Sequence, residues 1–229
     1  MKYYLLEEKV DEGTLSFPVL EFDFERNKRF FTDDNGYDFP QLSDREFYER
    51  NVPFPSYQLV KGAQRFDNLS GEVLPKGKGL FVSEKFKSLI ESLKTPPVTF
   101  YPLELVDATD NAIPGYYFMQ MIQPDDNTDY PKSTFAIYQL ITKEGEIRFA
   151  SYSDYLSQGR SFAKERKKLK AEHVVLTQDF ANQQYELFFN LHFSSGFILS
   201  QKAKELFLSH EVTGIEIKET SKITGSRVE

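Results

Sequence analysis

Two stretches of the chain repeat one pattern of apolar and polar positions. GLFVSEKFKSLIESL runs from Gly79 to Leu93, and GFILSQKAKELFLSH from Gly196 to His210. Each opens with a Gly and three apolar residues, the length of a short buried strand. Ser83 and Ser200 come next, and a Ser hydroxyl at that place accepts from an orphan N–H of a helix's first turn. Phe86, Leu89, Ile90 and Leu93 then fall at i, i+3, i+4 and i+7, one face of a helix. Ala203, Leu206, Phe207 and His210 take the same places in the second copy. A strand follows each helix: VTFYPLELVD after the stop at Pro96-Pro97, and TGIEIKE, where Ile215 and Ile217 alternate with Glu216 and Lys218. The pattern predicts two strand–helix–strand units offset by 117 residues. So long a period is no solenoid, and it points to one pseudo-duplicated fold with a dissimilar N-terminal part.

The remaining pattern is mostly strand. Met1 to Leu6 reads as a short strand, and so does Pro18 to Phe24, where Leu20, Phe22 and Phe24 alternate with acids. Asn35-Gly36 is a hairpin-type turn signal, and Ser43 is placed to cap one or two helical turns. Pro53 and Pro55 block regular pairing. Residues 112–122 and 133–142 read as strands joined by the acidic QPDDNTDY. A tight turn is expected at Lys143 to Gly145, then EGEIRFASYS, HVVL, YELFFNL and GFIL supply further apolar runs. The fold class is therefore α+β: a mostly antiparallel sheet with a few short helices. Twenty-two Phe and 13 Tyr in 229 residues strengthen the sheet reading, because flat rings pack well on a pleated surface.

Charge is unevenly placed. The formal net charge is −7, yet residues 1–50 carry 13 acidic and 7 basic side chains, and residues 101–130 carry 6 acidic and none basic. RSFAKERKKLK, Arg160 to Lys170, holds six basic residues against one Glu. Such blocks are either solvated faces or docking surfaces for a partner of opposite charge. The chain has no Cys, which excludes a disulfide framework, thiolate metal sites and a Cys nucleophile. The opening MKYYLLEEKVDEG lacks the apolar core of a signal peptide, and no stretch approaches the roughly 18 apolar residues of a membrane span. A cytoplasmic protein without a membrane partner is expected.

Tests for chemistry return little. Asp125, Asn127 and Asp129 stand at positions 1, 3 and 5 of a calcium loop, but Tyr130 replaces its Gly and Ala136 its closing Glu. Asp107 and Asp110 flank a turn without a neighbouring His or basic clamp. His173, His192 and His210 share no metal-binding spacing, and no GxSxG elbow accompanies them. LPKGKGLFVS lacks phosphate-loop spacing. The basic run has no interleaved aromatics, and the chain is acidic, so nucleic acid is not an expected partner. No metal or cofactor is expected, and no catalytic residue stands out.

FYPLELVDATDNAIPGYYFMQMI, the acidic DNTDYPKST ending at a Ser, and the closing FILSQKAKELFLSHEVTGIEI together resemble a bacterial family, the polymorphic-toxin immunity proteins of the type called immunity protein eleven. The resemblance covers about residues 75–220. It implies a cytosolic, non-enzymatic protein that binds and neutralises a toxin effector by stoichiometric occlusion, and it transfers no binding residue. On this reading residues 1–75 form a β-rich segment packed on an immunity-like domain at 76–220, with a flexible tail at 221–229. A basic toxin would dock on acidic residues, and Asp107, Asp110, Asp125, Asp126 and Asp129 are the candidates. The alternatives are a hydrolase with a site assembled from scattered polar residues, and a self-associating structural module.

Overall fold

Ser83 and Ser200 cap helices in the computed structural model, which describes residues 2–9, 20–22, 56–69, 78–122, 127–193 and 196–225. The Ser83 hydroxyl accepts from the Phe86 N–H at 3.2 Å, and Ser200 accepts from Ala203 at 3.2 Å. The expected turn at Asn35-Gly36, the helix at Ser43, and Pro53 and Pro55 lie outside the described residues.

The first half of the chain contributes β1 (Tyr3–Glu8), β2 (Leu20–Phe22), β3 (Ser56–Leu59), β4 (Asn68–Leu69), β5 (Lys78–Ser83), α1 (Glu84–Glu91), β6 (Val98–Pro102) and β7 (Glu104–Val106). The second contributes β8 (Tyr116–Met121), β9 (Thr134–Gln139), β10 (Thr142–Ile147), α2 (Tyr152–Lys164), β11 (Lys167–Leu176), α3 (Gln178–Asn182), β12 (Leu187–Phe189), β13 (Phe197–Ser200), α4 (Gln201–Ser209), β14 (Ile215–Thr220) and β15 (Ile223–Gly225). Pairing is mostly antiparallel, so the fold is α+β as expected.

The duplication extends well beyond the two helical units. Two inner sheets have the orders β4-β5-β8-β6 and β12-β13-β1-β14. Their registers agree: Tyr116 faces Ser83 across β8–β5, and Tyr3 faces Ser200 across β1–β13. The outer sheets correspond too, because β3 runs parallel to β7 and β11 runs parallel to β15. Each half therefore opens with a Tyr-Tyr strand, YYLLEE in β1 and YYFMQM in β8. Each of these strands leaves its own half and inserts at the centre of the other half's inner sheet.

α1 packs on β5 and β8 of one inner sheet, α4 packs on β13 and β1 of the other, and the two helices meet. Phe86 and Ile90 of α1 and Ala203 and Phe207 of α4 are fully buried, and the rings of Phe86 and Phe207 meet edge to face at 5.0 Å. Burial of each Phe or Ile side chain among them is worth roughly 1.5–3 kcal/mol. A second core, with Tyr57, Phe81 and Phe118, separates the first inner sheet from β2-β3-β7.

Two carboxylates fasten the halves reciprocally. Asp67, just before β4, accepts from Ser83 Oγ at 2.7 Å, Lys85 Nζ at 3.1 Å, and both the N–H and Oγ1 of Thr213 at 2.9 Å, where Thr213 lies beyond α4. Glu186, just before β12, accepts from Lys202 Nζ at 2.7 Å and from the Lys94 N–H at 2.8 Å, beyond α1. Burial alone would raise the Asp67 carboxyl, but the bonds from Thr213, Ser83 and Lys85 outweigh it and hold its pKa below the ordinary value. At Gly214 a side chain has no room: its φ is +77°, and a Cβ would lie 2.1 Å from the Asn68 carbonyl oxygen.

Several expectations are corrected. A boundary at residue 75 does not divide the fold, because β1 is a central strand of the far inner sheet. The tail expected at 221–229 starts as strand: Ile223 is 3% exposed and pairs with Val174. Residues 226–229 lie outside the described residues. VTFYPLELVD is two strands, since β6 stays in the inner sheet while β7 joins β3 in the outer one. The turn expected at Lys143 to Gly145 falls earlier, at Leu140-Ile141, and Gly145 instead sits at a register shift in β10. The basic run is the end of α2, a turn at Glu165-Arg166, and the start of β11. No helix among the described residues is long and apolar enough to cross a membrane.

Candidate functional site

The described acidic candidates, Asp107, Asp110 and Asp129, lie in loops beside different sheets. Asp107 follows β7 in an outer sheet of the first half. Its Oδ1 accepts from the Thr109 N–H and Oγ1, both at 2.8 Å, and from the Asn111 N–H at 3.0 Å. Its Oδ2 takes the Asn111 amide at 3.2 Å, and the backbone closes with Asp107 N–H to Asn111 O at 2.9 Å. This is a side chain folding its own loop. The hydrogen bonds, first that from the Thr109 hydroxyl, hold the carboxyl well below the usual carboxylate range. Asp110 sits at the exposed apex with φ +65°, a conformation that Asp tolerates better than most residues. The loop is thus an ordered acidic knuckle, and Asp107 is occupied by its own backbone rather than aimed at a ligand.

Asp129 belongs to the other half, where its N–H bonds the Val175 carbonyl of β11 at 2.7 Å and its carboxylate pairs with Lys132 at 3.1 Å. Asp125 and Asp126 lie outside the described residues. Tyr130, at the place where a calcium loop needs Gly, is 3% exposed and packs on Phe135, Tyr152 and Tyr155. Among the described residues no group of three or more His, Asp and Glu is placed to hold a metal ion.

The three histidines occupy three settings. His173 Nε2 meets Thr224 Oγ1 at 3.1 Å on β11. His210 follows α4 and bonds the Leu206 carbonyl through Nδ1 at 2.9 Å. His192 is enclosed by the rings of Tyr130, Phe135 and Tyr155, with Nε2 3.1 Å from the Tyr130 hydroxyl. Burial pushes its pKa down to about 4, so the ring is neutral at physiological pH. Its hydrogen-bond partner is a phenol, not the carboxylate of a triad.

Beside His192 lies a buried polar knot that the sequence reading passed over. Asn190 is 0% exposed and donates to Asn127 Oδ1 at 2.9 Å and Thr128 Oγ1 at 3.1 Å, while its own Oδ1 accepts from the His192 N–H at 3.0 Å. Asn127 donates to the Phe189 carbonyl at 2.7 Å. Ser133 accepts from the Val175 N–H at 2.9 Å and donates to the Asp129 carbonyl at 2.7 Å. The knot ties the segment 127–133 to β11 and to the residues after β12. Its signal was a lone Asn within the apolar LFFNLHF, where an unpaired amide would be costly.

The chain matches no protein-family model and no curated protein.

Proposed function

We propose that this protein is a stoichiometric binding protein of the immunity type, which neutralises a toxin effector by covering its working surface. The observation that carries the reading is the ordered acidic loop after β7. Asp107 spends its oxygens on fixing the loop, and the fixed loop holds Asp110 at an exposed apex with Glu104, also exposed, at the start of β7. A pre-ordered charge loses little entropy on docking, and an acidic surface steers a basic partner to it. The resemblance of residues 75–220 to immunity proteins supplies the class of partner, and the cytoplasm is the compartment in which such protection would act.

The test is co-expression with the product of the adjacent gene, followed by purification and association kinetics at several ionic strengths. A one-to-one complex is expected whose association slows with salt and slows further in Glu104→Lys/Asp110→Lys. No complex, or one whose rate ignores both salt and the charge reversal, would remove the proposal.

A further inference from the structure

One end of the second outer sheet combines exposed apolar side chains, strained turns and unneutralised cations. Leu140 and Ile141 form the two-residue connection between β9 and β10, where Gln139 pairs with Thr142. They are 86% and 93% exposed. Such a tight connection with positive φ at its first residue favours Gly there, yet Leu140 holds that place at φ +55°. Next to it, Gln139 pairs with Lys167, the first residue of β11. Arg166, in the turn before that strand, is also left-handed, at φ +59°. Two larger side chains in a conformation that disfavours them, side by side at one sheet end, mark a place where presentation of those side chains outweighs local comfort.

The charges there are sorted. Residues 139–172 carry eight basic and five acidic side chains, in a chain whose net charge is −7. The carboxylates near the tip are neutralised: Glu144 and Glu165 by Lys167 at 3.1 and 3.0 Å, Glu146 and Glu172 by Lys143 at 2.7 and 3.8 Å. Lys164, Arg166 and Lys168 have no ion-pair partner among the described residues, and Arg160 lies one turn back along α2. The outcome is two aliphatic side chains at a convex apex with free cations set just behind them.

From this we infer that the β9–β10 tip is a peripheral docking element for an anionic phospholipid bilayer. Leu140 and Ile141 enter the headgroup boundary, and Arg166, Lys168 and Lys164 meet the phosphates. A bilayer suits the convex apex because it needs no preformed recess to receive it. The element shares no residue with the acidic loop after β7 and does not depend on the immunity reading.

The test is co-sedimentation of the full chain with vesicles of phosphatidylglycerol and phosphatidylcholine, against vesicles of phosphatidylcholine alone. Binding is expected only to the first, and it should weaken with salt. Leu140→Gly/Ile141→Asn installs Gly where φ is positive, so the fold should hold or gain stability while partitioning drops about tenfold. Arg166→Gln/Lys168→Gln should lower it by about tenfold or more at unchanged fold. Ile141→Ser alone provides a milder apolar test if either double variant fails to fold. Absence of binding to the anionic vesicles overturns the inference. So does binding that survives loss of the apolar pair, or displacement by heparin with equal response in the tip variants, which would make this a general polyanion surface. If the apolar pair instead governs self-association in light scattering and leaves vesicle binding unchanged, the tip is a protein contact and the inference falls.

Discussion

Ser83→Ala and Ser200→Ala remove the same atom from equivalent positions, yet they should not cost the same. Both hydroxyls accept from the third residue of a helix at 3.2 Å, and losing that cap costs about 1 kcal/mol. Ser83 also donates to the Asp67 carboxylate at 2.7 Å. Glu186, the counterpart of Asp67, turns to Lys202 and Lys94 instead. A hydrogen bond to a charged group contributes about 1.5–3 kcal/mol. The low end applies here, because Asp67 keeps three other donors and its side chain is 13% exposed. Ser83→Ala should therefore cost about 2.5 kcal/mol and Ser200→Ala about 1 kcal/mol. Urea unfolding followed by circular dichroism measures both, provided the m-values agree. A cycle of Ser83→Ala with Asp67→Asn should return a coupling of roughly 1 kcal/mol. Equal losses in the two single variants, with no coupling in the cycle, would refute the asymmetry and reduce Asp67 to a spectator.

Other expectations follow from the same geometry. His192, with a folded pKa of about 4 against about 6.5 when unfolded, is neutral in the fold while the unfolded chain takes up the proton first. Stability should therefore be complete above about pH 6.5 and fall by about 3 kcal/mol toward pH 4, and His192→Gln should flatten that part of the curve in urea melts taken across it. Asp67 acts in a lower window: its contribution is present above its unfolded pKa of about 3.9 and disappears as pH falls through the depressed folded value, so Asp67→Asn should shallow the acid limb below pH 4. Gly214→Ala should cost about 3 kcal/mol or more, since it combines positive φ with a collision against the Asn68 carbonyl; a wild-type melting temperature would contradict the packing described. Deleting residues 1–9 should unfold the second half, and a synthetic peptide of those residues added in trans should restore its circular dichroism, whereas a peptide with Tyr4 and Leu6 replaced by Asp should not.

The helical units were legible because capping and the 3.6-residue period are local signals. Ser83, Phe86, Ile90, Ser200, Ala203 and Phe207 all stand where the pattern put them. The larger duplication was hidden, because YYLLEE and YYFMQM are only six residues each and lie 113 apart rather than 117. Strand exchange leaves no periodic trace, since it is a matter of partners and not of composition. The hairpin turn was misplaced for a physical reason: Gly145 offered a turn signal, and Leu140-Ile141 offered none. The same absence of a signal concealed the most exposed apolar pair. At the candidate site, Asp107 read correctly as turn punctuation, whereas the knot around Asn190 depends on Asn127 and Thr128, more than sixty residues away.

The exchange of first strands also sets the order in which the protein can be completed on the ribosome. β1 emerges long before either of its neighbours, β13 and β14. Tyr3–Glu8 must therefore wait for these partners until Phe197–Ser200 and Ile215–Thr220 have been made. The first half is no better off by itself, because its inner sheet has a vacancy between β5 and β6 until β8 is made. The first half can close once residues beyond Met121 have cleared the exit tunnel, and the second closes only with Ile215–Thr220. Contacts of such long sequence separation fold slowly. A nascent chain of this design carries a Tyr-rich strand without its sheet partners until β13 and β14 arrive, and that interval is when it most needs a chaperone.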